Sequence, residues 1–394
     1  MSVWRWLVFL VVVSLLSGGL HFFLWARLVR DPKWPIAWTI ALTVLIFIGA
    51  LSFPLTPALV RVLPKTLGSS LAWFSYTWTG LLFIWFVILL FNEGLRPLVA
   101  LLLNKISETA FDASRRAMLS RGLAGFAGLL GLGLGGVALW EGTKPVRIKK
   151  VPISLSRLSA DMHGFRIVQL TDIHVGPTIG LSFIEEIVDK SNRLQPDLVA
   201  ITGDLVDGSV EELGPIVARL SALRAKHGVY FVTGNHEYYS GASAWVRFLE
   251  TQGIRVLRNE RVRIEHQGAK LDIAGIDDFS AGQFTDGHKP DLKNAMHERD
   301  PEVPVVLLAH QPRAVHEAAE LDVDLQLSGH THGGQMIPFN YLVHLQQPYV
   351  SGLHKHGPTQ IYVSSGTGYW GPPMRLGIPA EITEIELRSM SRMT

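Results

Sequence analysis

The apolar residues of the chain follow two different patterns. In the first 140 residues, four apolar runs each reach about 18 or more residues, the length at which a helix crosses a bilayer. We predict about four transmembrane helices over residues 1–140, because these runs lack the polar face of a helix in a soluble domain. The runs are Leu7 to Ala26, Ile36 to Phe53, Leu71 to Phe91 and Gly122 to Trp140.

Beyond a polar stretch over residues 141–160, which we interpret as a connector, shorter apolar runs dominate residues 161–394. Helical spacing predicts helices over residues 182–194, 211–226 and 242–251. From Ile264 onward the runs are shorter and strand-like. Alternating strands and helices followed by a strand-rich half fit two packed sheets flanked by helices.

Five strand-like runs of this second region each end in a residue that can bind a metal ion. Because open α/β sheets place their ligands at the carboxyl ends of strands, these residues are expected to meet at one edge. The last block is Gly329-His330-Thr331-His332-Gly333-Gly334, where strand alternation would send both imidazoles to one side. The residues that end the five runs are Asp172 and His174, Asp204, Asn235, His310, and His330 with His332.

The balance of basic and acidic residues also differs between residues 1–140 and the rest of the chain. Residues 1–140 hold eleven Lys/Arg and four Asp/Glu, which leaves 25 and 30 for the remainder. The basic residues of the first part flank the predicted spans, so they do not indicate nucleic-acid binding. The chain has no cysteine, which excludes disulfides and thiolate metal sites.

The five blocks together resemble the calcineurin-like metallophosphoesterases, whose pattern runs D-x-H, G-D, G-N-H-[DE], a lone H and G-H-x-H. The resemblance covers roughly residues 145 to 390 and is strongest to the bacterial membrane-associated branch. It implies a four-layer αββα sandwich with a binuclear centre. One ion would be held by Asp172, His174 and His332, the other by Asn235, His310 and His330, and Asp204 would bridge them.

The resemblance also implies phosphoester hydrolysis by a metal-bridging hydroxide, with His236 as the proton donor to the leaving oxygen or as a phosphoryl contact. A purely hydrogen-bonded His236 is the alternative, and Glu237 is expected to orient its neighbours. The oxygen and nitrogen ligands suit two divalent ions of Mn, Fe, Zn, Co or Mg. For Asp207 we expect a loop-capping role in preference to metal binding.

Substrate contacts are harder to predict from the sequence. Arg375, near the end of the chain, is a candidate phosphate ligand, with a surface ion pair as the alternative. The segment from Ile337 to Gly357 is expected to form either a lid, an apolar rim near the bilayer, or an ordinary loop. The substrate class is therefore a phosphorylated small molecule or lipid, with monoester, diester and pyrophosphate bonds all open.

Positive charge in the predicted loops places both termini outside the cytoplasm, although the cluster from Lys144 to Lys150 opposes this orientation. Ser114-Arg115-Arg116 ahead of the last span resembles a twin-arginine export signal, with ordinary anchoring arginines as the alternative. We therefore expect a multi-pass protein of the inner membrane, with its catalytic domain outside the cytoplasm and the export machinery as a partner.

The sequence thus predicts a membrane-anchored binuclear phosphoesterase. A non-catalytic membrane sensor or scaffold that retains the metal site is the alternative, and His236 argues against it because a binding module needs no proton donor. A transporter with a soluble appendage would require ionisable residues within the spans, and these are almost absent.

Overall fold

The computed structural model describes residues 3–106, 113–285 and 287–390. These residues form two compact units, one containing the N-terminal helices and the other an α/β domain that begins at Gly142.

The N-terminal unit is helical, as the long apolar runs predict. Within the described ranges, four segments are long and apolar enough to cross a membrane: Val11–Arg30, Ile36–Val62, Lys65–Gly94 and Ser120–Thr143. The first helix continues from Trp25 into wider π-type turns over Ala26–Arg30. The helices are α1 (Val3–Trp25), α2 (Ile36–Val62), α3 (Lys65–Ile106) and α4 (Ala113–Thr143).

Polar groups among these helices find partners inside the helical unit. The indole of Trp78 donates to Nε2 of His21 at 2.9 Å, and that of Trp25 donates to Oγ1 of Thr43 at 2.9 Å. Such bonds stabilise apolar helices, because an unpaired polar group is costly in hydrocarbon. The structure does not describe the side chains of Arg115 and Arg116, which form the motif that resembles an export signal. The same holds for the side chains of Trp4, Trp6, Arg96 and Lys105.

The α/β domain contains two six-stranded mixed sheets. In the first sheet β2, β3 and β4 run parallel, and in the second β7, β8, β9 and β11 do. The first has the order β1 (Arg147–Leu155), β12 (Glu381–Ser389), β2 (Phe165–Leu170), β3 (Leu198–Thr202), β4 (Val229–Val232), β5 (Arg255–Val256). The second has the order β10 (Gly352–His356), β11 (Thr359–Val363), β9 (Leu325–Ser328), β8 (Val305–Leu308), β7 (Ala269–Gly275), β6 (Glu260–His266).

The two sheets pack face to face and helices cover their outer faces, which confirms the predicted four-layer αββα sandwich. Phe165 and Leu387 of the first sheet and Leu271 and Leu325 of the second share the core between the sheets. A second core lies under α5 and α8, and a third under α9 and α10. The helices are α5 (Leu181–Arg193), α6 (Val210–Val217), α7 (Asn235–Ser240), α8 (Ala242–Thr251), α9 (Leu292–Ala295), α10 (Val315–Glu320) and α11 (Phe339–Val343).

The prediction of a connector over residues 141–160 is wrong, because that stretch contains β1. Its buried residues alternate with exposed ones, so Val151, Ile153 and Leu155 face the core while lysines face solvent. Pro152 is compatible with a strand here because β1 lies at the edge of its sheet. The helix predicted over residues 211–226 is also shorter, since α6 ends at Val217 and continues as a 3-10 turn over Ala218–Ala222.

Candidate metal centre

The strands of both sheets bring all seven predicted metal ligands to one place. In the first sheet, Asp172 and His174 follow β2, Asp204 follows β3 and Asn235 begins α7 after β4. In the second, His310 follows β8, and His330 with His332 follows β9. The carboxyl ends of parallel strands lie at the same edge of each sheet, which explains the convergence.

One group of ligand atoms comes from Asp172, His174 and His332, all of them buried. The Nε2 atoms of His174 and His332 are 3.0 Å apart, and Nε2 of His332 lies 3.5 Å from Oδ1 of Asp172. These atoms all lie within 4.8 Å of one another, close enough to share a single cation. We call this group cluster A.

A second group, cluster B, comes from Asp204, His310 and His330. Oδ2 of Asp204 is 3.1 Å from Nε2 of His310, which in turn lies 3.2 Å from Nδ1 of His330. The same Oδ2 atom lies 3.9 Å from Nε2 of His174 in cluster A. The Asp204 carboxylate therefore faces histidines of both clusters, as a bridging ligand must.

The ligand residues hold an unusual backbone conformation. Five of them have positive φ: Asp172 (53°), His174 (54°), Asp204 (53°), His330 (70°) and His332 (49°). Non-glycine residues seldom adopt this region, and such strain concentrates at functional sites. The explanation of His330 and His332 by strand alternation is wrong, because β9 ends at Ser328 and the two histidines turn into different clusters.

Glycines permit the close approach of these loops. A Cβ atom on Gly329 would lie 2.1 Å from Oδ2 of Asp172, and one on Gly234 would lie 2.2 Å from Oδ1 of Asp204. Both distances are far inside van der Waals contact, so no other residue fits at either position without displacing a carboxylate.

The charges of the site favour the metal-binding forms of Asp204, His330 and His332, whereas the neighbouring carboxylates raise the pKa of His310 and burial raises that of Asp172. Burial alone would raise the pKa of Asp204, but the facing charges of His310 and His236 hold it well below its usual range. Burial, together with the charge of His310, lowers the pKa of His330 to about 3, and burial lowers that of His332 as well. Ionised carboxylates and neutral imidazoles are the forms that coordinate cations.

Two further observations are consistent with a divalent cation bound by the seven residues. Oδ1 of Asn235 is buried and has no hydrogen-bond partner among the described residues, although buried polar atoms are normally satisfied. The ring nitrogens of His174 and His332 lie 3.0 Å apart, and those of His310 and His330 lie 3.2 Å apart. Two histidine nitrogens that each bind one cation at about 2.0–2.1 Å have a similar separation. A bound cation would explain both observations.

Comparison with known proteins agrees with this geometry. The pattern of the calcineurin-like phosphoesterase family matches residues 165–334. A metallophosphoesterase of Aquifex aeolicus is 34% identical over 245 residues, which cover 62% of this chain and 92% of that protein. The chain belongs to the calcineurin-like phosphoesterase family. This membership agrees with the motif blocks found in the sequence.

Two other relatives match this chain over a smaller share of their own length. An uncharacterised metallophosphoesterase of Helicobacter pylori is 42% identical over 250 residues, 63% of this chain and 65% of that protein. A Bos taurus protein named as a transmembrane protein with a metallophosphoesterase domain is 42% identical over 265 residues, 64% of this chain and 60% of that one. The chain thus spans less than two thirds of the length of these relatives, which occur in bacteria and in vertebrates.

Beside cluster A, the phosphoesterase holds a histidine–carboxylate pair. Oδ1 of Asp207 lies 2.5 Å from Nδ1 of His236 and 3.1 Å from Nδ1 of His174. Burial alone would lower the pKa of His236, but Asp204 and Asp207 raise it to about 9. The expected loop-capping role of Asp207 is wrong, because its carboxylate orients two site histidines.

Glu237 supports the loops of cluster B. Its carboxylate accepts hydrogen bonds from the backbone N–H groups of Asp204, Leu205 and Gly234, at 3.0, 2.8 and 2.6 Å. Burial and the nearby Asp204 raise the pKa of Glu237 to about 7. The prediction that Glu237 orients its neighbours is confirmed.

Arg375 does not play either of the roles predicted for it. Its side chain is fully buried, with 0% exposure, and its guanidinium donates to the carbonyl oxygens of Ser365, Gly368 and Ile378. Burial lowers its pKa to about 10. The guanidinium therefore binds the loop behind His332 and does not face solvent, and its Nη2 atom lies 3.4 Å from Nδ1 of His332.

Aromatic side chains surround His236 at the open side of the site. The rings of Tyr239 and Trp370 lie 5.1 and 6.0 Å from the His236 ring, and Phe284 packs against Tyr239. The sequence analysis missed Tyr239 and Phe284. Tyr239 could have been predicted from its spacing, because it lies four residues after Asn235 and therefore on the same face of the helix.

Proposed function

We propose that this protein is a membrane-anchored, binuclear metal-dependent phosphoesterase acting on a phosphorylated lipid or small molecule of the cell envelope. The observation that carries the proposal is the shared position of the Asp204 carboxylate, 3.1 Å from His310 and 3.9 Å from His174. Two cation sites that share one carboxylate are the arrangement used for in-line attack at phosphorus.

Asp172, His174 and His332 would hold one ion, Asn235, His310 and His330 the other, and Asp204 both. When bound, Mn, Fe, Zn, Co or Mg ions would neutralise phosphate oxygens and lower the pKa of an attacking water. The remaining chemistry belongs to the side chains beside them.

His236 would supply the proton that the leaving oxygen needs. Its Nδ1–H donates to Asp207, which leaves Nε2–H available for the substrate. A pKa raised to about 9 keeps the imidazole protonated at neutral pH. Asp207 fixes the ring, and the aromatic residues at the rim restrict water beside it. This proton donor supports catalysis over the alternative of a non-catalytic sensor or scaffold.

The proposal can be tested by the hydrolysis of bis(p-nitrophenyl) phosphate and of p-nitrophenyl phosphate by the detergent-solubilised chain with added Mn²⁺. We expect turnover by the parent chain, and loss of both turnover and bound metal in Asp204→Ala. Turnover that is unaffected by Asp204→Ala would refute the proposed centre. The ratio of diester to monoester turnover would direct the search for the natural substrate.

We further propose that the protein lies in the inner membrane with its phosphoesterase domain outside the cytoplasm. The distribution of Lys and Arg between predicted loops supports this orientation, and Arg115-Arg116 would serve the twin-arginine export machinery. An alkaline phosphatase fused after Thr394 should be active, while a fluorescent protein that needs the cytoplasm to mature should stay dark. The reverse pattern would place the domain in the cytoplasm.

A further inference from the structure

An open cavity of about 610 Å³ lies next to the loop that carries His310. Half of its lining residues are apolar, among them Ile276, Phe279, Pro290 and Leu345, and Glu317 is the acidic residue of the lining. Phe279 is 53% exposed and Leu345 is 82% exposed, so two large apolar side chains remain open to a ligand. Cavities of several hundred Å³ with apolar walls are typical of sites for organic ligands.

Short connections join this cavity to the metal centre. Gln311 directly follows the ligand His310, and its Nε2 donates to the Asp278 carboxylate at 3.0 and 3.2 Å. Asp278 in turn precedes Phe279, which forms part of the cavity wall. The cavity wall is therefore linked to a candidate metal ligand through neighbouring residues of the chain and one side-chain hydrogen bond.

The cavity also has one cationic wall residue. Arg313 lies 5.1 Å above the ring of Phe279, and its Nη2 donates to the carbonyl oxygen of Gln346 at 2.7 Å. Its Nε atom is buried and has no hydrogen-bond partner among the described residues. The guanidinium thus places a positive charge beside the apolar surface of Phe279 in the cavity wall.

Apolar surface continues beyond the cavity along the chain. Leu345 follows α11, where Phe339, Tyr341 and Leu342 are 44%, 68% and 55% exposed. Contiguous exposed apolar surface of this kind marks a ligand or membrane site in a folded domain. The same chain carries helices long and apolar enough to cross a bilayer, which would keep lipids at high local concentration.

We propose that this cavity binds the apolar chain of a lipid phosphoester, with Arg313 facing an anionic group of the same molecule. The proposal rests on the proposed function, because the bond cleaved is the phosphoester placed at clusters A and B. The apolar wall residues and the positive charge of Arg313 together favour an amphiphilic anion, since a free sugar phosphate or nucleotide would leave the apolar wall residues without a contact.

A series of p-nitrophenyl alkyl phosphodiesters with methyl, butyl and octyl groups tests this assignment on the full chain in nanodiscs with Mn²⁺. Burial of one methylene improves binding by at most about fourfold, so partial burial of the octyl chain should raise kcat/KM at least about tenfold over methyl. Leu345→Asp should bring the octyl-to-methyl ratio close to one. Because Leu345 is 82% exposed, this change does not threaten folding.

Leu181→Asp is the matched control, since Leu181 is an exposed leucine at the start of α5, away from the cavity lining. It should retain the parent ratio. A flat series in the parent chain, or equal loss in both variants, would overturn the cavity assignment alone. No turnover of any member by metal-loaded protein would overturn the proposed function, and this inference with it.

Discussion

Clusters A and B contain similar ligands but differ in what surrounds them. In cluster A, His174 shares the Asp207 carboxylate with His236, so the metal ligand and the proton donor depend on the same residue. In cluster B, the buried Glu237 accepts hydrogen bonds from the backbone around Asp204. Under the proposed function, the Asp207 side chain would couple cluster A to proton transfer, whereas cluster B meets His236 through the backbone N–H that donates to Asp204.

Among the substitutions that leave the metal ions in place, removal of the proposed proton donor should lower kcat the most. His236→Asn should lower kcat by about 10²- to 10⁴-fold, because the leaving oxygen would depart without a proton. Metal content, measured on the purified variant, should match the parent. His297→Asn, at an exposed histidine outside the site, is the control. Equal metal loss and activity loss in His236→Asn would contradict the separation of roles.

A change at the shared carboxylate tests the coupling within cluster A. Asp207→Asn should lower kcat by about 10- to 100-fold, the usual cost of removing a group that orients a ligand. Loss of its charge also lowers the pKa of His236, so the donor loses its proton at a lower pH. The alkaline limb of the kcat profile should therefore shift to lower pH. An unchanged limb together with unchanged kcat would disprove the coupling.

A substitution of Glu237, which supports the loops of cluster B, should act mainly on the stability of the fold. Glu237→Gln replaces a carboxylate that accepts three backbone hydrogen bonds, and it should cost about 1–3 kcal/mol of unfolding free energy. Thermal unfolding of the metal-free chain should show this loss, with the exposed Glu185→Gln as control. A shift of the kcat profile without loss of stability would assign Glu237 to the chemistry instead.

Several features of the fold and site could be predicted because they depend on local sequence. The five strands that deliver ligands, the helices after β2 and β4, and the long apolar helices all follow from periodicity and length. The seven candidate ligands were predicted from the motif blocks, and the structure brings six of them together in two clusters with Asn235 beside them.

Other features depend on long-range contacts that a single sequence does not contain. Strand β1 has polar residues and a proline, and only its pairing with β12 defines it as a strand. Arg375 resembles an exposed phosphate ligand until the loop of Ser365 to Gly368 closes around it. Asp207 resembles a loop cap until His236, contributed by another strand end, reaches it.

The number of metal ions bound per chain tests the central claim most directly. The purified full-length protein, loaded with Mn²⁺ and freed of excess ion, should contain about two ions per chain by plasma mass spectrometry, as a pair of sites sharing one carboxylate requires. Asp204→Ala, measured in parallel, should contain fewer. A parent value near one, with full turnover, would contradict the account of two clusters joined by Asp204.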